Sequence, residues 1–137
     1  MKRRTYRDLR ADSRPTKETR GRARREAGDD AGHHHHVYVV LLDPAARSLP
    51  SVRAANRGRD PEKPCVYVGM TGLTPEERFA NHRAGIKSAY VVRRFGVRLM
   101  PELFEHLNPM PFEAAAEMEV DLAEDLRRAG YTVTGGH

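Results

Sequence analysis

The stretch CVYVGMTGLTPEERFANH, residues 65–82, places a tyrosine (Tyr67), a glycine (Gly69), an arginine (Arg78) and a histidine (His82) in a short span. Arg78 and His82 stand four apart, so a helix presents both on one face. Further along the chain an acid stands where a core residue is due. In FEAAAEMEVDLAEDLRRA, residues 112–129, Phe112, Ala115, Leu122 and Leu126 share one stripe at about 100° per residue. The missing member of that stripe is Glu119, while Glu113, Glu117, Asp121 and Glu124 fall on other faces as solvated acids. A carboxylate on a core-facing stripe is costly unless it is paired or bound to a metal. Two readings follow for Glu119: a salt bridge at the core edge with an arginine of the preceding helix, or a metal ligand or catalytic carboxylate. A single carboxylate suits Mg²⁺ or Mn²⁺, which keep several waters and complete their shell with substrate phosphate oxygens.

These residues need elements to hold them. VYVVLL, residues 37–42, is apolar on both faces and predicts a central, two-side-covered strand that Asp43 and Pro44 stop. A polar segment of about twenty residues up to Pro64 reads as a long excursion between strands. CVYV, residues 65–68, is a second strand. Thr74 as N-cap, Pro75 at the first helical position and Glu77 completing a capping box open a helix running to about Ala84, with Gly85 as its stop. Residues 88–95 read as a short helix ended by Gly96, and Val97, Arg98 and Leu99 alternate as a third strand. The continuation toward Leu107 fits strand or helix. Residues 112–129 are the strongest helix, closed by Arg127, Arg128 and Gly130. The order predicts a small α+β domain with a three-stranded, mainly antiparallel sheet flanked by helices.

The chain has 137 residues, enough for one compact core, and a formal net charge of +5. That excess sits in residues 1–32, which carry 11 Lys/Arg against 6 Asp/Glu and few apolar residues. They read as a basic, disordered arm ahead of a domain at 33–137. Arg78 to Arg98 contains six basic residues and no acid, whereas Pro101 to Leu126 contains eight acids and no Lys or Arg. A basic region suits a polyanion such as nucleic acid, with a solvated surface as the plain alternative. No apolar run approaches the roughly 20 residues that span a bilayer, and the N-terminus lacks a secretory h-region. The single Cys65 excludes an internal disulfide and a Cys-based zinc cluster and fits a reducing cytoplasm. The run His33–His36 can hold a transition metal adventitiously and reads as natural and non-catalytic.

Taken together, Tyr38, the tripeptide Tyr67-Val68-Gly69, Arg78, His82 and Glu119 resemble the motifs of the GIY-YIG nuclease domain, which is named for two tripeptides on neighbouring strands. The resemblance covers about residues 36–137. The first tripeptide reads His36-Val37-Tyr38, so its glycine is missing, and Met70 stands where some members carry a lysine. Thr71 lies where members often have a polar or basic residue, and His137 stands near the place of a terminal asparagine. Taken singly, the two tyrosines are equally cross-strand packing partners, Gly69 a turn-permitting residue, and Arg78 and His82 helix surface.

The resemblance implies a divalent-metal-dependent endonuclease that hydrolyses phosphodiester bonds in nucleic acid, with DNA as the first expectation and RNA left open. Its implied catalytic set is Tyr38, Tyr67, Arg78, His82 and Glu119, with Glu119 as the Mg²⁺ or Mn²⁺ ligand. Arg78 would hold a phosphate oxygen, a cation-activated Tyr38 or Tyr67 would take a proton from water, and His82 would relay a proton or bind phosphate. Gly69, Thr71, Arg83, Lys87, Arg93 and Arg94 are the candidate nucleic-acid contacts. With no second reading module in view, cutting would show little sequence preference or would depend on DNA shape or a protein partner. The alternatives are a catalytically weak or inactive nucleic-acid-binding module on the same fold, and a structural, partner-binding protein.

Overall fold

The computed structural model describes residues 33–136; the expected arm at 1–32 and His137 lie outside them. Strand β1 (His36–Leu42) leads through a 3-10 turn (Pro44–Ser48) into helix α1 (Pro50–Ala55). Strand β2 (Cys65–Thr71), helices α2 (Pro75–Ala84) and α3 (Tyr90–Phe95), and strand β3 (Gly96–Leu99) follow. Two 3-10 turns (Pro101–Leu103 and Glu105–Leu107) precede the long helix α4 (Phe112–Arg128), and β4 (Thr132–Gly135) comes last. The α+β class holds. The sheet has four strands rather than three, in the order β3-β1-β2-β4, with β1 antiparallel to both β2 and β3 and β4 parallel to β2.

The reason for β1's central place is its composition. Val37, Tyr38, Val39, Val40 and Leu42 are all buried, so both faces of the strand are covered. Burying each such aliphatic side chain stabilises the fold by about 1.5–3 kcal/mol. Leu107, Met110, Ala115, Leu122, Ala123 and Val133 complete the core around it.

Helix α2 begins and ends on the expected residues. Thr74 Oγ1 accepts from the Glu77 N–H at 3.1 Å, and Glu77 Oε1 accepts from the Thr74 N–H at 3.0 Å. Gly85 closes the helix in the left-handed region at φ +80°. Those two ends fix which turn carries Arg78 and His82.

Two elements differ from the sequence pattern. The segment 43–64 holds α1 and a 3-10 turn rather than an unstructured excursion. Asn56, at the end of α1, ties it to the outer edge of β4: Nδ2 donates to the Val52 and Val133 carbonyls at 2.7 and 2.8 Å, and Oδ1 accepts from the Val133 N–H at 2.8 Å. A side-chain amide thereby does the work of a neighbouring strand, leaving β4's buried edge satisfied. The second difference is Phe112. It lies on the extrapolated stripe of α4 yet is 55% exposed, because it is the helix's first residue and reaches past the core to meet the His35 ring edge-on at 5.1 Å.

Candidate active site

Strand register brings the first pair together. Tyr38 on β1 lies opposite Gly69 on β2, and Tyr67, two residues before Gly69, projects on the same face. The Tyr38 and Tyr67 ring centroids are 6.1 Å apart. Gly69 makes room for them. A Cβ there would lie 2.6 Å from Tyr38 Cζ and Oη and 2.9 Å from Tyr67 Cε1. Gly69 is therefore needed inside β2 for close approach, not to let the strand turn.

His82 comes from α2 and is fully buried, with Nε2 2.8 Å from Tyr38 Oη. Its Nδ1 accepts from the Ala89 N–H at 3.1 Å. A backbone N–H can only donate, so Nδ1 carries the lone pair and the neutral ring carries its proton on Nε2. Nε2–H then donates to Tyr38 Oη, and the Tyr38 hydroxyl proton is free to serve Tyr67, with which Tyr38 shares a hydrogen bond. Burial first, and Arg78 second, lower the His82 pKa to about 4. His82 is neutral and internally engaged at neutral pH, which makes it a positioning residue for Tyr38 rather than a phosphate ligand.

That shift has a consequence for stability. The folded-state pKa lies below the unfolded value of about 6.5, so the unfolded chain binds the extra proton between the two. The stabilisation is complete above pH ~6.5 and is lost as the pH falls toward 4, by at most roughly 3 kcal/mol. Urea midpoints are expected to drop through that window in the wild type and to stay flatter in His82→Gln. Parallel pH profiles for the two proteins would contradict this.

Arg78, one turn before His82, is half-buried. Nη1 donates to the Ile86 carbonyl at 3.3 Å and Nη2 to the Lys87 carbonyl at 2.8 Å. Arg78 and His82 thus both hold the loop between α2 and α3, in which Lys87 sits at φ +47°, a region few side chains adopt. The guanidinium also faces the tyrosines and lowers both their pKa values. For Tyr38 that pull is outweighed by burial, and next by Tyr67, so the phenol is pushed above its ordinary value. The expectation of a cation-activated Tyr38 base is not met by the chain's own charges, which keep it a protonated donor.

Glu119 is 7% exposed on α4, as the stripe requires. Its carboxylate is felt by Tyr67, whose pKa is raised by burial first and Glu119 second. Tyr67 therefore lies within electrostatic reach of both the Arg78 guanidinium and the Glu119 carboxylate. The chain's last described residues pass the same place: the Gly136 N–H donates to the Val68 carbonyl at 2.9 Å, and a Cβ at Gly136 would collide with Ala123 and lie 3.6 Å from the Glu119 carbonyl. All five catalytic candidates are thus gathered around one face of the β1–β2 pair. A second buried acid, Asp125, was not singled out from the sequence; it lies three residues after Leu122, a helical spacing that marks it as core-facing.

The candidate nucleic-acid contacts divide. Gly69 and Thr71 are buried, and Thr71 Oγ1 accepts from the Leu73 N–H at 3.0 Å, so neither presents a side chain outward. Arg83, Lys87, Arg93 and Arg94 are exposed. Arg83 covers the Phe79 ring at 4.6 Å while Nη2 donates to the Val97 carbonyl at 2.8 Å, and Arg94 lies over Phe95 at 5.6 Å. The histidine run is dispersed: His33 is buried, His34 exposed, and His35 pairs its backbone with Met110.

Among the described residues no three His, Cys, Asp or Glu converge as a metal cage. Glu119 alone fits a hard cation that keeps water and borrows phosphate oxygens, and it does not fit zinc, which takes three or four protein ligands. No family model matches the chain, and neither do curated proteins or solved structures.

Proposed function

We propose that this site hydrolyses phosphodiester bonds in nucleic acid, DNA in the first instance, with a divalent cation bound at Glu119. The observation that carries the reading is a buried carboxylate and an arginine both within electrostatic reach of Tyr67, beside a second tyrosine held by a neutral, buried histidine. That is the charge pattern a phosphate diester needs. Arg78 spends two of its five donors on the loop carbonyls and also hydrogen-bonds toward Tyr38, and the remaining donors are available to phosphate oxygens. Tyr38 donates its proton to a phosphate oxygen or orients the attacking water, held in place by His82. Burial and the Glu119 charge also raise the Tyr67 pKa, so on the chain's own charges it too stays protonated; a cation held at Glu119 would offset that charge and favour Tyr67 as the proton acceptor. When bound, Mg²⁺ or Mn²⁺ supplies Lewis-acid polarisation of the phosphate and stabilises the leaving oxygen.

Arg83, Lys87, Arg93 and Arg94 would add sequence-independent phosphate contacts. The single Cys65, buried and free, fits a cytoplasmic setting, and among the described residues no helix is long and apolar enough to cross a membrane. Specificity would come from DNA shape or a protein partner. The structural engagement of Arg78 and His82 favours one second reading, a catalytically weak binding module on the same framework.

Cleavage of labelled DNA and RNA oligonucleotides in Mg²⁺ or Mn²⁺ separates the two. The wild type is expected to cut, and Arg78→Ala to cut about 10²–10³-fold more slowly, as expected for the loss of a donor to developing negative charge. Binding without cutting by the wild type would favour the inactive module. Arg78→Ala cutting at the wild-type rate would remove Arg78 from the site.

A further inference from the structure

A cleft of about 360 Å³ opens between α1, the turn that follows it and the start of β4. Four arginines, Arg47, Arg53, Arg57 and Arg59, line it together with Asn56 and Thr132, and no acidic residue does. Like charges at such density repel one another unless an anion sits among them.

The cleft is built in two layers. Arg47 and Arg59 are pinned as its wall: Arg47 Nη2 donates to the Lys63 carbonyl and Arg59 Nη1 to the Arg127 carbonyl. Asn56 locks the floor to β4 through its three hydrogen bonds. Arg53 and Arg57 are exposed, and neither guanidinium has a partner among the described residues. Arg47 Nε is buried with no hydrogen-bond partner among the described residues, a donor without an acceptor.

We propose that this cleft is a second phosphate site, which holds the backbone of a nucleic-acid strand whose neighbouring segment enters the tyrosine site. The inference rests on the nucleic-acid reading above and extends it to a separate surface. Guanidiniums match phosphate oxygens in a planar, two-point fashion, and the lining has no aromatic ring on which a base could stack. The cleft therefore grips backbone and is indifferent to sequence. Thr132 in the cleft pairs with Cys65, and Tyr67 and Gly69 of the tyrosine site lie two and four residues along the same strand, about 7 and 13 Å away. That separation is a few nucleotides.

The test is fluorescence anisotropy of the full chain with a labelled duplex across a salt series. Arg53→Gln/Arg57→Gln is expected to weaken binding at least tenfold at moderate salt. It is also expected to reduce the slope of log affinity against log salt by about 1.8, two phosphates at ~0.9 each. Arg57→Glu, a single exposed change, gives the same readout should the double variant fold poorly. An unchanged slope overturns the proposal, as does a wild type that binds no nucleic acid. Arginine-dependent binding to anionic phospholipid vesicles, with no effect on DNA, also overturns it. A wild type that binds with the expected slope change but never cuts leaves the cleft standing and removes the hydrolase reading instead.

Discussion

Glu119→Gln is expected to lower the rate of metal-dependent cleavage by 10³-fold or more while leaving the fold and the affinity for nucleic acid intact. The substitution keeps the size of the side chain and removes only its charge. Glutamine cannot replace a carboxylate as a ligand for a hard cation. Loss of a group that acts only on charge developing in the transition state appears in kcat rather than in binding. The same variant has a readout that does not depend on turnover. Because the Glu119 charge raises the Tyr67 pKa, second only to burial, its removal shifts the phenolate titration of Tyr67 downward. That titration is followed by ultraviolet difference absorbance, with Tyr67→Phe identifying the signal. A variant that cuts as fast as the wild type would show that Glu119 has a structural role at the edge of the core.

Gly69→Ala is expected to damage both stability and activity. The added methyl would sit 2.6 Å from Tyr38 Cζ and Oη and 2.9 Å from Tyr67 Cε1. Tyr38 cannot swing away freely, since it is 1% exposed and hydrogen-bonded to the buried His82. Overpacking of this kind costs roughly 1–3 kcal/mol, and the displaced rings are the proposed phosphate and water contacts. Urea midpoints should fall accordingly, with turnover falling in parallel. The steric cause is isolated by a double-mutant cycle with Tyr38→Leu, in which the cost of Gly69→Ala is expected to shrink by about 1 kcal/mol or more. An additive cycle would place the strain elsewhere.

Legibility in the sequence followed the range of the interactions. Helix α2 could be read to the residue because Thr74, Pro75, Glu77 and Gly85 are local signals whose physics needs no partner from elsewhere. β1 could be read because Val37–Val40 are apolar on both faces. β4 could not: Thr132–Gly135 is four residues long, and it is a strand because β2 pairs with it on one side and Asn56 on the other. Helix α1 escaped for the same reason, being a short element in a polar segment that Asn56 ties down.

At the site, Glu119 stood out because a charge interrupting a helical stripe is itself a periodic signal. The Tyr38–His82 bond was not legible, since it joins residues 44 apart in sequence and its polarity depends on the Ala89 N–H. The close approach at Gly69 was hidden for a related reason. Its neighbours in the chain suggest a turn, whereas its neighbour across the sheet is the ring of Tyr38. Thr71, a candidate nucleic-acid contact by resemblance, is buried, and its hydroxyl accepts from the Leu73 N–H at the entry to α2.

The gathering of Tyr38, Tyr67, Arg78 and Glu119 around one phosphate and one cation is most directly tested by anomalous diffraction. The crystals would contain the full chain, Mn²⁺ and an oligonucleotide with a non-hydrolysable linkage. The expected result is a manganese peak about 2.1 Å from a Glu119 carboxylate oxygen, bonded also to a phosphate oxygen that Arg78 contacts. A peak elsewhere, for instance on the His33–His36 run, or a phosphate bound with no metal at Glu119, would contradict the account.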